Sequence, residues 1–320
     1  MRRISIAALA LWCCAGAAIA QNYPNKPIRI VVPLAAGGTG DTLGRLAADK
    51  LAEAFGQQVV VDNRPGANGI IGTDLVAKAS ADGYTLASAS TGNVIINPAL
   101  FGTKLPFNVE RDLVAISLIA TGTSVVIAHP SFAAKTIGEL IALAKLKPGA
   151  INYASSGTGS AVHLGTALFE SMAGVRMTHV PYKGSTQGRV AVLANETDLM
   201  FDGLLPTLPL IKAGKLRALG VTSSKRSSVV PEIPAIAETL PGYSADTWYG
   251  LFAPHGTPKE VVTKIHAVMA KALRTPEVRE KLQAQGADPA GNTPEEFAVF
   301  MRAETAKWGK VVKDSGARPD

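Results

Sequence analysis

The chain has almost no cysteine. Two of its 320 residues are cysteine, Cys13 and Cys14, and both lie within the first 20 positions. A chain of this length can bury hydrophobic cores without disulfide bonds, so none is needed. Histidine is also scarce, and the histidines show no metal-ligand spacing (His129, His163, His179, His255 and His266). We therefore expect no metal site and no cofactor.

Long apolar runs are absent after residue 20, which argues against a membrane-spanning helix in that part of the sequence. The first 20 residues are typical of a secretory signal peptide. Two arginines precede an apolar stretch at 4–18 that is too short for a comfortable span, and residues 18–20 form a small-residue cleavage site. Cleavage after Ala20 would release a soluble exported protein and remove both cysteines. The bulky Trp12 before those cysteines argues against lipoprotein processing.

The sequence contains no segment in which charges of one sign are concentrated. The formal net charge is +7, but lysines and arginines occur singly and are interleaved with acids. Nucleic-acid-binding proteins instead carry basic stripes with stacking aromatics. No nucleic-acid partner is expected, and the positive excess favours at most an anionic small molecule.

Apolar residues alternate between strand-like and helix-like patterns. Strands are predicted at 28–32, 58–61, 84–89, 125–128, 151–154, 177–180, 199–201, 216–221 and 248–252. Helices are predicted at 42–55, stopped by Gly56, and at 137–146, while Thr257, Thr275 and Thr293, each before a proline, predict three more helix starts. This alternation is typical of an α/β fold whose parallel sheets are covered by helices on both faces.

Two strand-to-helix turns are rich in glycine and small hydroxyl residues. The first contains the candidate binding residues Ala36, Gly37, Gly38, Thr39 and Asp41, and the second contains Ser155, Ser156, Gly157 and Ser160, followed by His163. Such turns let backbone N–H groups and a helix N-terminus face a ligand, which favours an anion. Because the turns lie about one small domain apart, we expect two parts of the molecule to grip one ligand.

Two of these candidates have competing interpretations. The carboxylate of Asp41 would repel an anion, so Asp41 is either the N-cap of the following helix, which we favour, or a partner for a ligand amine, hydroxyl or water. His163 either hydrogen-bonds the ligand, holds the opposing loop, or is a buried histidine with internal partners.

Five further candidate residues lie in other loops. Tyr182, Lys183 and Asp202 follow predicted strands, and open parallel sheets bind ligands at the carboxyl ends of their strands. Thr91 and Asn93 lie in the segment 91–97, which we expect to contact the far end of the ligand.

Other glycine-rich sites fit poorly. Gly44 comes one residue too late after Gly38 and Gly40 for a dinucleotide-binding turn, and no Gly-Lys-Ser/Thr follows for a phosphate loop. No Gly-x-Ser-x-Gly nucleophile elbow occurs at 155–160. An exported hydrolase that acts on a carboxylated compound through Ser155, Ser160 or His163 stays open as an alternative.

Several longer motifs occur in a fixed order along the chain. They are Tyr23-Pro24-x-Lys26-Pro27-Ile28-Arg29, Ala36-Gly37-Gly38-x-x-Asp41, Asn63-Arg64-Pro65-Gly66-Ala67, Asp82-Gly83-Tyr84-Thr85-Leu86, His179-Val180-Pro181-Tyr182-Lys183-Gly184, Gly214-Lys215-Leu216-Arg217-Ala218-Leu219 and Trp248-x-Gly250. Together they resemble the extracytoplasmic receptors of the tripartite tricarboxylate transporter family, the Bug receptors. The chain departs from the family pattern at Gly188, Ala194 and Asn195, which leaves both glycine-rich turns intact but puts the finer shape of the second lobe in doubt.

The resemblance implies a two-lobed periplasmic binding protein of type II. Each lobe would be a mostly parallel sheet flanked by helices, and two strands near 116–125 and 222–248 would cross between lobes. Lobe 1 would comprise 21–122 and 228–320, and lobe 2 would comprise 123–227.

The resemblance also implies a function. A monomeric receptor without enzymatic activity would close on a small carboxylated solute, such as a di- or tricarboxylate, an amino acid or an aromatic acid. It would then deliver the solute to membrane permease subunits. In the family, the loops that match 36–41 and 155–160 hold the carboxylate with backbone amides and ordered waters. A ligand-sensing receptor for a membrane kinase would use the same fold and stays open.

Overall fold

The computed structural model describes residues 23–227, 229–283 and 286–315. The predicted signal peptide and its cleavage site lie outside the described residues. Within these ranges the chain forms two β-sheets, each accompanied by helices, as the predicted two-lobed α/β fold requires. Among the helices that the structure describes, none is long and apolar enough to cross a membrane.

Six strands form the first sheet and five form the second. The first sheet contains β1 (Ile28–Val32), β2 (Val59–Asn63), β3 (Thr85–Ser90), β4 (Leu113–Gly122), β10 (Thr247–Pro254) and β11 (Ala287–Pro289), in the order β11-β4-β10-β3-β1-β2. The second contains β5 (Ser124–Ala128), β6 (Asn152–Ser155), β7 (Thr178–Pro181), β8 (Leu199–Gly203) and β9 (Arg217–Val221), in the order β7-β6-β8-β5-β9. The strands predicted from the apolar pattern lie within about two residues of these bounds, most of β4 lies in the crossing strand predicted near 116–125, and β11 was missed.

Both sheets are mixed, and in each sheet most strands run in one direction, which agrees with the prediction of mostly parallel sheets. β1 pairs parallel with β2 and β3, and β6 pairs parallel with β7 and β8. In contrast, β10 runs antiparallel to β3 and β4, and β5 runs antiparallel to β8 and β9. Parallel neighbours need a crossover connection, usually through a helix. β5 and β10 instead enter their sheets from the other sheet.

The helices follow the strands in the expected alternation. They are α1 (Thr39–Phe55), α2 (Ile70–Ala77), α3 (Asn97–Phe101), α4 (Val109–Asp112), α5 (Ile137–Leu146), α6 (Ala161–Ala173), α7 (Ser185–Leu193), α8 (Leu204–Lys212), α9 (Ile236–Thr239), α10 (Lys259–Arg274), α11 (Pro276–Gln283) and α12 (Pro294–Ser315), with 3-10 turns at Ala67–Gly69 and Gly102–Lys104 and a π-helical turn at Gly92–Ile96.

Helix ends follow the local signals in most places. α1 stops at Gly56, which adopts the left-handed conformation at φ 62°. The hydroxyl of Thr293 accepts from Glu296 N–H at the start of α12, as predicted. Thr257 does not cap α10, because its hydroxyl donates to the carbonyl of Pro254 and the helix begins one residue later than expected.

Helix α1 is anchored to the first sheet by its apolar face. Leu43, Leu46 and Leu51 are buried in one cluster with Ile28 and Ile30 of β1. Full burial of such a side chain stabilises the fold by about 1.5–3 kcal/mol. The glycine-rich loop between β1 and α1 therefore extends from two rigid, packed elements.

The two sheets are joined where β4 passes into β5 and where the chain returns from β9 to β10. Thr123 alone separates β4 from β5. The N–H of Thr222 donates to Ser124 O at 2.8 Å, and the N–H of Ser124 donates to Thr222 Oγ1 at 3.0 Å. The same hydroxyl lies 3.2 Å from Oδ1 of Asp246, just before β10. These contacts bind the two crossing segments to each other.

The segment after residue 229 still packs on the second sheet. Val230, Ile233 and Ala235 are buried in the apolar cluster that includes Val125 and Ile127 of β5. Ala235 also forms a parallel bridge to Val221, next to the end of β9.

Candidate functional site

A cavity of about 550 Å³ lies between the two sheets, a volume typical of small-molecule sites. Loops after β1, β2 and β3 form one side, and loops after β6, β7 and β8 form the other. Nine of the predicted site residues line it: Gly38, Thr39, Asn93, Ser156, Gly157, Ser160, Tyr182, Lys183 and Asp202. The other six do not line it: Ala36, Gly37, Asp41, Thr91, Ser155 and His163.

Four helices begin at this cavity. Their cap and first-turn residues line the wall: Gly38, Thr39 and Gly40 for α1, Ser160, Ala161 and Val162 for α6, Gly184, Ser185 and Thr186 for α7, and Gly203, Leu204 and Leu205 for α8. The first N–H groups of a helix have no acceptor within the helix, and the helix dipole makes this end positive. The cavity is therefore surrounded by donors that favour an anion.

Most of these helix ends lack a side-chain cap. The N-caps of α1, α7 and α8 are Gly38, Gly184 and Gly203, and no side chain accepts from their first turns. A polar N-cap side chain would satisfy one of those donors. In α6, Ser160 Oγ accepts from His163 N–H at 3.2 Å. The first-turn N–H groups of Ala161 and Val162 remain for a ligand or water.

Asp41 is not the N-cap of α1, contrary to the interpretation we favoured, because the helix begins earlier, at Thr39. Its carboxylate accepts from Gly37 N–H at 3.0 Å, from Arg45 Nε at 3.1 Å and from Asn63 Nδ2 at 3.0 Å. Burial raises the pKa of Asp41, but these hydrogen bonds outweigh burial and lower the pKa below its ordinary value. The ionised carboxylate holds Gly37 at φ 78° and so shapes the first loop.

The second loop uses several of its own amides internally. Gly157 N–H donates to Ser155 Oγ at 3.1 Å, Gly159 N–H donates to His163 Nδ1 at 2.9 Å, and Ser160 N–H donates to Gly157 O at 3.1 Å. His163 therefore holds the loop that precedes its own helix, whereas one of our interpretations had it holding the opposing loop. Ser155 is fully buried beneath the loop.

Among the lining residues that the structure describes, only Lys183 and Asp202 are charged. Lys183 is exposed. The Asp202 carboxylate is buried and accepts from Arg189 Nε at 2.6 Å and from Gly203 N–H at 2.8 Å. Burial raises the pKa of Asp202, and the Arg189 guanidinium opposes that effect. Because arginine keeps its proton in proteins, Arg189 and Asp202 form an internal ion pair that adds little net charge to the cavity.

The two predicted residues from the loop after β3 differ in role. Asn93 lines the cavity, and its Oδ1 accepts from both the N–H and the hydroxyl of Ser90 at 2.9 Å. Its Nδ2 donates to Asn68 O at 3.2 Å. Thr91 Oγ1 instead accepts from Trp248 N–H at 2.9 Å and ties the end of β3 to β10. The hydroxyl of Thr91 is thus committed to the fold.

Sequence reasoning missed several cavity residues. It named neither the first turns of α7 and α8 nor the apolar wall that includes Leu34, Val162, Leu204, Leu205 and Tyr249. A signal was present, since Gly184 and Gly203 follow predicted strands and precede helices, as the glycines of the first turn do. The leucines and the tyrosine of the apolar wall come from separate segments of the chain, so no local sequence pattern marks them as cavity residues.

Comparison with known proteins shows the family of the chain. A family model described as the tripartite tricarboxylate transporter family receptor matches residues 43–317. The chain belongs to this receptor family. The resemblance inferred from the motifs is therefore confirmed.

Curated relatives match along nearly the whole chain. A protein encoded in the tcbD–tcbE intergenic region of Pseudomonas sp. strain P51 is 40% identical over 316 residues, which cover 97% of this chain and 94% of that protein. BugT of Bordetella pertussis is 35% identical over 300 residues, which cover 93% of this chain and 92% of BugT.

Solved structures match the fold closely. An R. palustris protein solved with adipate is 36% identical, with a TM-score of 0.90 over 93% of this chain and 100% of that chain. MatC from Rhodopseudomonas palustris, solved with bound malate, is 31% identical, with a TM-score of 0.85 over 91% of this chain and 100% of that chain. The periplasmic binding protein BugD is 32% identical, with a TM-score of 0.86 over 92% of this chain and 99% of that chain. The predicted two-lobed periplasmic binding protein fold is confirmed.

Proposed function

We propose that this protein is an exported receptor that binds a small carboxylated solute between its two lobes and passes it, unaltered, to membrane permease subunits. The observation that carries the proposal is the convergence of four helix N-termini, α1, α6, α7 and α8, on one cavity. Their backbone donors favour an anion even though the wall holds little net charge from side chains.

A carboxylate is the anion that the relatives favour. Two structures that share this fold at 36% and 31% identity were solved with adipate and with malate. Apolar side chains such as Leu34, Leu204 and Leu205 also line the cavity, and they suit the carbon chain of an organic acid better than they suit an inorganic anion.

Binding without chemistry fits the position of a serine–histidine pair near the cavity. Ser155 Oγ lies 2.5 Å from His179 Nε2, as a nucleophile and base would. However, Ser155 is fully buried, does not line the cavity and accepts from Gly157 N–H through the same oxygen. The hydroxyl of Ser160 is used to cap α6. We therefore favour a receptor over a hydrolase.

Ligand capture would use a hinge motion about the two crossing segments. We place lobe 1 at residues 23–122 and 246–315, and lobe 2 at 123–245. This puts the return to lobe 1 later than the predicted residue 228, since Val230, Ile233 and Ala235 pack on the second sheet.

A thermal-shift screen tests the proposal directly. The panel contains mono-, di- and tricarboxylates, amino acids and aromatic acids, with adipate and malate among them. An acid present at about one hundred times its dissociation constant should stabilise the protein by roughly 2.7 kcal/mol. The fully methylated ester of each hit, in which every carboxylate is esterified, is the matched control, and it should not stabilise the protein because it lacks the anionic group.

Two results would contradict the proposal. One is a panel in which no acid raises the unfolding temperature, or in which the esters act as well as the acids. The other is conversion of a hit into a product during long incubation with the protein. NMR would detect that product, and its appearance would favour the hydrolase.

A further inference from the structure

Three aromatic rings form a stack behind the second loop. Tyr153 of β6, His163 of α6 and His179 of β7 supply them. The two imidazole rings lie nearly parallel, with centroids 4.0 Å apart and an angle of 5° between planes. The Tyr153 ring lies 5.0 Å from the His179 ring. The stack thus joins three elements that converge beneath one loop.

Each imidazole holds the loop at a different point. His163 Nδ1 accepts from the N–H of Gly159, so this nitrogen carries no proton. His179 Nε2 is hydrogen-bonded to Ser155 Oγ at 2.5 Å, and that oxygen accepts in turn from the N–H of Gly157. The beginning, middle and end of the segment 155–160 are therefore tied to one pair of rings.

The loop needs such support because of its backbone. Gly157 has φ 122° and Gly159 has φ 74°, conformations that glycine adopts easily and leaves easily. Ordering such residues costs conformational entropy, which nearby contacts must offset. Ser156 and Gly157 line the cavity, so any change in the loop reshapes the wall.

We propose that His163 and His179 are positioning residues for ligand binding. They hold the loop in the shape that receives the ligand, and neither is a lining residue of the cavity. This inference rests on the proposed function, in which the loop forms part of the binding site. Neither a metal nor a reaction is required of the pair.

Paired substitutions test the proposal. His163→Asn keeps an acceptor at the position of Nδ1, and His179→Gln keeps a polar atom near the position of Nε2, whereas His163→Leu and His179→Leu keep neither. The matched control is His129→Leu, because His129 Nδ1 also accepts a loop N–H, that of Ser131, elsewhere in the second lobe.

The first measurement is amide hydrogen exchange in the ligand-free protein. Loss of one of these hydrogen bonds should speed exchange at Gly157 or Gly159 by about tenfold. The leucine variants should show this increase at residues 155–160, the asparagine and glutamine variants should stay within about twofold of the wild type, and His129→Leu should leave the loop unchanged. Exchange in the leucine variants equal to that of the wild type, or equal acceleration in all four variants, would overturn the proposal.

The second measurement is an isothermal titration with adipate, or with the acid of highest affinity from the thermal-shift panel. The leucine variants should bind about tenfold more weakly, with recovery in His163→Asn and His179→Gln. Accelerated exchange together with unchanged affinity would show that the loop is not part of the site and would overturn the proposal. If no acid binds the wild type, the proposed function fails, and the exchange measurement still decides whether the histidines hold the loop.

Discussion

Thr39 and Gly203, from opposite lobes, meet at the wall of the cavity. A methyl group added to Gly203 would lie 2.6 Å from Thr39 Oγ1, closer than real contacts of this kind. Gly203 has φ −58°, a value that any residue adopts, so space rather than backbone conformation requires glycine here. The contact shows how closely the two lobes approach at the cavity.

Gly203→Ala should therefore hinder the approach of the lobes and weaken binding of a carboxylate by about tenfold, roughly 1.4 kcal/mol. Thr39→Ala removes the oxygen that the new methyl group would meet. In a titration, the double variant should recover part of the affinity lost by Gly203→Ala. The control is Gly138→Ala in α5, where the nearest atom would lie 3.9 Å from the added carbon. Equal losses in the single and double variants would contradict this explanation.

The first N–H of α6 can be removed without disturbing the helix. Ala161 is the first residue of α6, a position that tolerates proline, and the preceding Ser160 has the extended backbone that a following proline requires (φ −67°, ψ 159°). Ala161→Pro should weaken carboxylate binding by about ten- to a hundredfold, since a hydrogen bond to a charged group contributes roughly 1.5–3 kcal/mol.

The matched control is Lys259→Pro at the first position of α10, which does not line the cavity. Both variants should unfold at the temperature of the wild type, whereas only Ala161→Pro should bind more weakly. Unchanged affinity in Ala161→Pro would show that the N-terminus of α6 does not contact the ligand.

Removing one partner of the Arg189–Asp202 ion pair should destabilise the fold more than replacing both partners. Their side chains are 9% and 2% exposed. Arg189→Met leaves a buried carboxylate without its partner, which costs about 3 kcal/mol in the free energy of unfolding. Arg189→Met combined with Asp202→Leu should restore much of that loss, because apolar groups can replace a buried pair. Urea unfolding measures both, and a double variant no more stable than the single one would contradict the prediction.

Asp246 should make stability depend on pH. Burial raises the pKa of Asp246 to about 6 from an ordinary value of 3.8; Thr222 and Lys307 oppose the shift, while Asp288 and Glu304 add to it. The folded state binds this proton more tightly than the unfolded state. Protonation of Asp246 therefore stabilises the fold fully below about pH 4, and this stabilisation is lost as the pH rises past about 6. At about 1.4 kcal/mol per pKa unit, the change is roughly 3 kcal/mol.

Asp246→Asn removes this titration. The stability of the variant relative to wild type should therefore increase by roughly 3 kcal/mol between about pH 4 and about pH 7 in urea unfolding. Asp49→Asn, which removes an exposed carboxylate of α1, is the control for loss of charge. A difference between Asp246→Asn and wild type that does not change with pH would contradict the prediction.

Short-range sequence signals predicted the helices and strands better than they predicted the residues that line the cavity. Gly56 stops α1 and Thr293 caps α12 because each acts on backbone groups within a few residues. The same kind of signal misled us at Thr257, whose hydroxyl bonds Pro254 instead. Asp41 of α1 shows the general difficulty, because its partner Asn63 lies at the end of strand β2, 22 residues later, and no local pattern reveals it.

The sequence by itself determined the family, the α/β alternation and the two glycine-rich turns, because these depend on motifs and on residues close together in the chain. Only the tertiary structure decided that four helix N-termini meet at one cavity, that Arg189 offsets Asp202, and that His163 and His179 support the second loop. Those relationships join residues from separate elements. Their geometry depends on how two mixed sheets pack and cross, which no local pattern of residues encodes.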